Sequence, residues 1–140
     1  MYFIHNGTGA PPADATYEVP QVRTLFNLSA SRWNPVRDVT LRGFEMTATR
    51  YTYMDPHGIP SAGDFAVVRQ SGAVYLEGTE HVTIQNCNLT RLDGNGIVVS
   101  GYNRGAYIAH NSISWIGDNG IVVWGRTNET ARQKKTPPIY

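Results

Sequence analysis

Three acids of this chain, Glu77, Asp93 and Asp118, fall at spacings that a repeating fold could gather for cleavage of a glycosidic bond. Hydrolysis needs one carboxyl group to protonate the leaving oxygen and a second to attack the sugar or activate water, at separations of about 5 to 9.5 Å. Asp93 lies in Leu92-Asp93-Gly94-Asn95-Gly96 and Asp118 in Ile116-Gly117-Asp118-Asn119-Gly120. Both phrases are also ordinary turn signals, in which Asp bonds its own backbone two residues on, so turn-making competes with catalysis at each. Trp124, Ser100 and Tyr75 supply the binding half of sugar chemistry, since an aromatic ring covers the apolar face of a pyranose while hydroxyls and carboxylates bond its rim. The stretch from Tyr51 to Asp64 adds Tyr53, Asp55, His57 and Asp64 in an irregular, Pro- and Gly-containing run.

What must position these groups is a repeat. Asn95-Gly96-Ile97-Val98-Val99-Ser100-Gly101 recurs 24 residues later as Asn119-Gly120-Ile121-Val122-Val123-Trp124-Gly125. The segment from His81 to Leu92 lies over that from Gly105 to Ile116 with the same spacing, Ile84 above Ile108. Gly72 to Gly78 is a third copy of the Gly-bounded strand, with a one-residue shift, and Asp38 to Met46 is a third copy of the Val-Thr-Ile segment. The last copy stands 43 residues upstream of its partner, which places an insertion of 19 residues between Thr47 and Arg69. Each unit holds three short apolar runs separated by Gly, Asn and Asp, with no long helical period. Such a run cannot bury its apolar face alone, whereas three per coil, stacked on the next coil, close a continuous core. The expected fold is therefore all-β, a parallel β-helix of about four coils. An antiparallel sandwich is the alternative, and it gives no reason for the fixed spacing.

Alternation then decides which residues face out. With Val74/Leu76, Ile97/Val99 and Ile121/Val123 inward, Tyr75/Glu77, Val98/Ser100 and Val122/Trp124 form the outer face of one sheet. Glu77, Ser100 and Trp124 become one column at about 4.8 Å per strand. A Trp124 packed beneath the chain that follows it is the competing expectation.

The segment from about Val36 to Asn128 resembles the right-handed parallel β-helix proteins of the pectin-lyase-like class, in its phrases Val82-Thr83-Ile84-Gln85-Asn86-Cys87-Asn88-Leu89 and Asp93-Gly94-Asn95-Gly96-Ile97-Val98-Val99-Ser100-Gly101. It is similar to β-helix proteins that carry Arg-Leu-Asp-Gly-Asn-Gly followed by a Ser-Gly-Tyr-Asn turn, here Arg91 to Gly96 and Ser100 to Asn103. The resemblance implies a right-handed solenoid and a carbohydrate-active role, with hydrolase, lyase and epimerase chemistry all open and a non-catalytic binding or structural domain of a secreted or surface protein as the alternative, because one fold hosts many functions. Tyr53-Met54-Asp55-Pro56-His57 resembles the Asp-Pro-His core of alginate C5-epimerases, which implies Tyr53, Asp55 and His57 as the groups that move a proton at a uronate carbon. In that family the motif lies on a strand, and here it falls in the insertion. The Gly-His-Gly and Arg-Ile-Lys phrases of polygalacturonases and the Arg-x-x-Pro-x-x-Arg pattern of pectate lyases do not occur.

Composition narrows the partners. A formal charge of +1 gives no field to attract nucleic acid, and no run approaches the roughly 20 apolar residues that span a bilayer. Fourteen Gly and ten Asn suit frequent tight corners. Cys87 is the one cysteine, so no internal disulfide can form. His5, His57, His81 and His110 are scattered, so neither a metal nor a cofactor is expected. Asn6, Asn27, Asn88 and Asn128 all begin glycosylation acceptor triplets, where composition would give about one by chance. They point to an extracellular or cell-surface protein, while the column of Glu77, Ser100 and Trp124 points to a polysaccharide or glycan as its partner.

The expected organisation is an irregular lead-in over 1–32, the β-helix over 33–126 with a long loop at 48–70, and a basic, Pro-containing tail over 127–140. Pro137-Pro138-Ile139-Tyr140 matches a WW-domain ligand, an intracellular partner at odds with the acceptor triplets. Solenoids need caps at both ends and neither is visible, so the chain is expected to be an incomplete piece whose ends meet missing coils or another chain.

Overall fold

Strands of two to five residues dominate this chain, and each gains its partners from the coil before and the coil after. The computed structural model describes residues 13, 14, 16, 19–52 and 71–124. They form β1 (Phe26–Ser29), β2 (Val36–Arg37), β3 (Thr40–Arg42), β4 (Glu45–Thr49), β5 (Gly72–Glu80), β6 (Thr83–Gln85), β7 (Asn88–Leu92), β8 (Asn95–Arg104), β9 (Tyr107–Ala109), β10 (Ser112–Ile116) and β11 (Ile121–Trp124). Three parallel sheets result, β1-β5-β8-β11 with β2 also on β5, then β3-β6-β9, then β4-β7-β10. Successive strands of the chain visit the three sheets in turn, which is a parallel β-helix with four rungs on one face and three on the others. Ile97 pairs with Ile121 and Ile84 with Ile108, so residues 24 apart are vertical neighbours as the repeat requires.

The core is a stack of aliphatic side chains from all three sheets. Met46, Val74, Leu76, Val82, Ile84, Leu89, Leu92 and Ile97 are fully buried in it. Ile121 and Val123 continue two of these columns but are 46% and 75% exposed, because β11 is the last rung among the described residues and nothing described stacks above it.

Corners are made by left-handed backbone. Asp38, His81 and Gly105 form one vertical set, Gly43, Asn86 and His110 a second, and Ala48, Arg91 and Trp115 a third, all with φ between 51° and 73°. Asn, Asp and His tolerate this region better than most residues, whereas bulkier side chains bear a steric cost of about 1–2 kcal/mol there. The third set sits inside β4, β7 and β10. Thr47, Thr90 and Ser114 pair in register, as do Thr49, Leu92 and Ile116, and the left-handed residue between them is skipped. That skip explains why inward residues here are three apart, Leu89 and Leu92 or Ile113 and Ile116, where simple alternation would place them two apart.

Polar ladders tie the coils at other corners. Asn111 donates to the Ile84 carbonyl at 2.9 Å and accepts from the Cys87 amide at 2.9 Å, so Asn111 stands over the buried Cys87 that fills the same corner one coil below. Asn95 donates to Ser71 O at 3.0 Å and accepts from the Asn119 backbone and side chain at 3.2 and 3.1 Å. These bonds satisfy backbone groups that a corner would otherwise leave without partners.

Two boundaries shift from expectation. Phe26–Ser29 pairs with Val74–Glu77, so the first rung begins inside the segment read as an irregular lead-in. Having no copy 24 residues on, this rung carries no repeat signal. β4 continues through Thr49, so the strand runs two residues into the span read as loop. The tail over 127–140 lies outside the described residues.

Candidate functional site

An excursion in the first rung builds an open cleft. Ser29 is level with Glu77 and Val36 with Thr79, so residues 30–35 bulge out opposite the single residue Gly78. The excursion is a tight turn in which Asn34 N donates to Ser31 O at 3.1 Å and Ser31 Oγ at 3.2 Å, which leaves Arg32 and Trp33 at its tip. Gly78 makes the turn possible. Its φ is +70°, and a Cβ there would stand 2.1 Å from the Ala30 carbonyl oxygen, so only glycine admits this approach. Gly101, with φ 62°, repeats the left-handed position one coil on.

The result is an open cleft of about 490 Å³ between the excursion and β5-β8, lined by Ser31, Arg32, Trp33, Glu77, Gly78 and Tyr102 among others. Trp33 is 81% exposed, and the Arg32 guanidinium carbon stands 4.4 Å from its ring centroid, a cation–π contact. Tyr75 donates its hydroxyl to Glu77 Oε2 at 2.6 Å and so orients that carboxylate from within its own strand.

Behind the cleft, Glu80 is held from both sides. Arg37 Nε donates to Oε2 at 2.8 Å and the Tyr102 hydroxyl to Oε1 at 2.5 Å. The hydrogen bond from Arg37, then that from Tyr102, holds the Glu80 carboxyl below the usual range, and the bond to Glu80 raises the Tyr102 phenol. Glu80 is thus ionised and fully engaged at neutral pH, and Tyr102 remains protonated. The Tyr102 proton is held in its bond to Glu80 and the Glu80 oxygens are occupied by Arg37 and Tyr102, which disfavours either as a general acid or base, and Tyr102 lines the cleft.

The expected columns form, but with different exposure. Tyr75, Val98 and Val122 are in register, as are Glu77, Ser100 and Trp124. Val98, Ser100 and Val122 are nevertheless buried and Trp124 is half-buried, so this part of the outer face is not the open sugar platform that alternation suggested. One contribution is visible at Gly72, where a Cβ would stand 2.8 Å from a Val98 methyl: the valine leans over the glycine of the neighbouring strand.

Asp93 and Asp118 are not brought to Glu77. Glu77 is level with Ser100, whereas Asp93 precedes Asn95, and five extended residues separate those two levels by about 16 Å. Nor are the two Asp residues stacked on each other. Gly117 lies over Asp93, and Asp118 N donates to Gly94 O at 3.1 Å, one residue out of register. Both serve the turn into the sheet, with the Asp93 amide donating to Thr49 Oγ1 at 3.2 Å. Tyr53, Asp55, His57 and Asp64 lie outside the described residues, as do Asn6 and Asn128, while Asn27 on β1 and Asn88 on β7 are exposed. Among the described residues no three His, Cys, Asp or Glu side chains form a metal-binding group, and no helix is long and apolar enough to cross a membrane.

Sequence reasoning missed Arg32, Trp33 and Tyr102. The usable signal was Ser31-Arg32-Trp33-Asn34-Pro35, turn formers flanking an aromatic, which places an indole at a loop tip.

A family model described as right handed beta helix region matches residues 59–135. No curated protein and no solved structure matches the chain. With parallel rungs on three faces and a family match over more than half its length, the chain belongs to the right-handed β-helix family.

Proposed function

We propose that this β-helix is a carbohydrate-active domain of a secreted or surface protein that binds a polysaccharide or glycan in the cleft between the Ala30–Pro35 excursion and β5-β8. The observation that carries the reading is Trp33, an indole 81% exposed on a braced turn, facing a cleft that also holds the Tyr75-oriented Glu77 carboxylate. A pyranose stacked on the indole would meet Glu77 and Ser31 at its hydroxyls, the combination of apolar face and polar rim that sugars require. The acceptor triplets at Asn27 and Asn88, both exposed, support the secreted assignment.

Among the described residues the geometry supports binding more than bond cleavage. Hydrolysis calls for two carboxyl groups in different protonation states. Glu77 lines the cleft, but Glu80 is committed to Arg37 and Tyr102, and Asp93 precedes Asn95, whose level is itself about 16 Å along the strand from that of Glu77.

On a glycan array the chain is expected to retain one class of saccharide, and Trp33→Ala to lose at least about tenfold in affinity for it, the scale of an aromatic anchor. Glu77→Gln distinguishes the roles: weakened binding with no change in product release fits a binding domain. Lost product release with binding intact means an enzyme. A Trp33→Ala chain that binds as the parent does would remove the cleft from the account.

A further inference from the structure

A second aromatic stands on a different face. Trp115, in β10, is 83% exposed, and its backbone has φ 54°, a left-handed conformation that a bulky side chain rarely adopts. The ring gives nothing to the core: the residues that pack inward beside it are Ile113 and Ile116. Glycine or asparagine would serve this corner with less strain, so a tryptophan is held, against backbone preference, where its only use is outside. Arg91 occupies the same corner one coil below, also left-handed at φ 51° and also exposed. The strand surface beside them is polar, and it includes the exposed Glu45 on β4, level with Asn88. Ser114 Oγ donates to Thr90 Oγ1 at 3.2 Å, and Asn88 and Ser112 are exposed in the adjoining register pair.

We infer that Trp115 and Arg91, on the outer face of β4-β7-β10, form a second saccharide contact, separate from the cleft, for the apolar face of a neutral β-linked pyranose chain. The occupant follows from the surroundings. One indole set among hydroxyls, an amide, a guanidinium and, on β4, the Glu45 carboxylate lacks the contiguous apolar area that the centre of a protein interface needs. It does match a sugar ring, whose carbon–hydrogen face covers the indole while its equatorial hydroxyls reach Arg91 one strand spacing away, about 4.8 Å. The inference rests on the reading of the protein as a glycan binder and extends it: two contacts on different faces let one molecule engage two chains of a polysaccharide, with the gain in avidity that linkage brings.

The chain has three tryptophans, so each contact can be observed by itself. In a Trp33→Phe/Trp124→Phe variant, Trp115 is the sole indole, and its emission is followed during titration with cellohexaose, xylohexaose and chitohexaose. A saturable shift with at least one of these, weakened about tenfold by Arg91→Ala, is the expected result. An emission that none of the three changes overturns the inference, as does self-association that depends on Trp115 without a saccharide response. The companion variant Trp115→Phe/Trp124→Phe reports Trp33 in the cleft. A response there with silence at Trp115 sinks the second contact and leaves the first, and the reverse pattern does the opposite.

Discussion

Gly78→Ala is expected to destabilise the first rung by about 2–3 kcal/mol and to abolish glycan binding in the cleft, while most of the solenoid stays folded. Two costs add. The residue has φ +70°, which charges any L side chain about 1–2 kcal/mol. The new methyl would also stand 2.1 Å from the Ala30 carbonyl oxygen, so the excursion must move away. That movement strains or breaks the 2.8 Å bond from Ala30 N to Glu77 O, worth about another 1 kcal/mol, and carries Trp33 off the cleft. Gly43→Ala is the control, because Gly43 has φ +73° but open space where the methyl would go. It should show the backbone cost alone and leave binding intact. Chemical denaturation of both variants, paired with glycan affinity, separates the two contributions. Equal effects for the two glycines would mean that the close approach at Ala30 contributes nothing.

Leu89→Ala is expected to cost about 2–5 kcal/mol, the range for emptying a packed leucine site. Leu89 is fully buried in the middle rung of its sheet, level with Met46 on one side and Ile113 on the other, so the cavity strips contacts from both neighbouring coils. Ile113→Ala removes a side chain of similar size from the last rung of the same column among the described residues, where it is only half-buried. Its cost should be about half as large, because stability in a stacked repeat is a sum over neighbouring interfaces and an end rung has one fewer. Urea unfolding of the two variants provides the comparison. Equal losses, or a larger loss at Ile113, would contradict the arrangement of rungs.

How much of this could be read from residues alone follows from what repeats. The 24-residue echo of Asn95–Gly101 in the segment from Asn119 gave the coil, the parallel register and the inward columns, because a solenoid obliges equivalent residues to stack. The same logic placed Asn111 above Cys87 and Glu77 level with Ser100. It failed wherever a residue has no copy. The Ala30–Pro35 excursion occurs once, so Trp33 and Arg32 carried no periodic signal, although they shape the cleft. The left-handed corner at Ala48, Arg91 and Trp115 was invisible for another reason: none of these types prefers positive φ, and tertiary stacking alone imposes it. Exposure was the third gap. Alternation assigned Val98 and Ser100 to the outer face, but it cannot tell an open position from a covered one, and both are buried.

Oxidative cross-linking tests the superposition of coils on which every column depends. Ser114 is the Cα partner of Thr90, with their hydroxyls 3.2 Å apart, a placement within reach of a disulfide. A Thr90→Cys/Ser114→Cys variant should form that bond readily under mild oxidation, with peptide mapping to set it apart from the buried Cys87. A Thr90→Cys/Ser112→Cys variant, displaced two residues along the strand, should not. Cross-linking of both pairs alike, or of neither, would mean that residues 24 apart are not stacked neighbours.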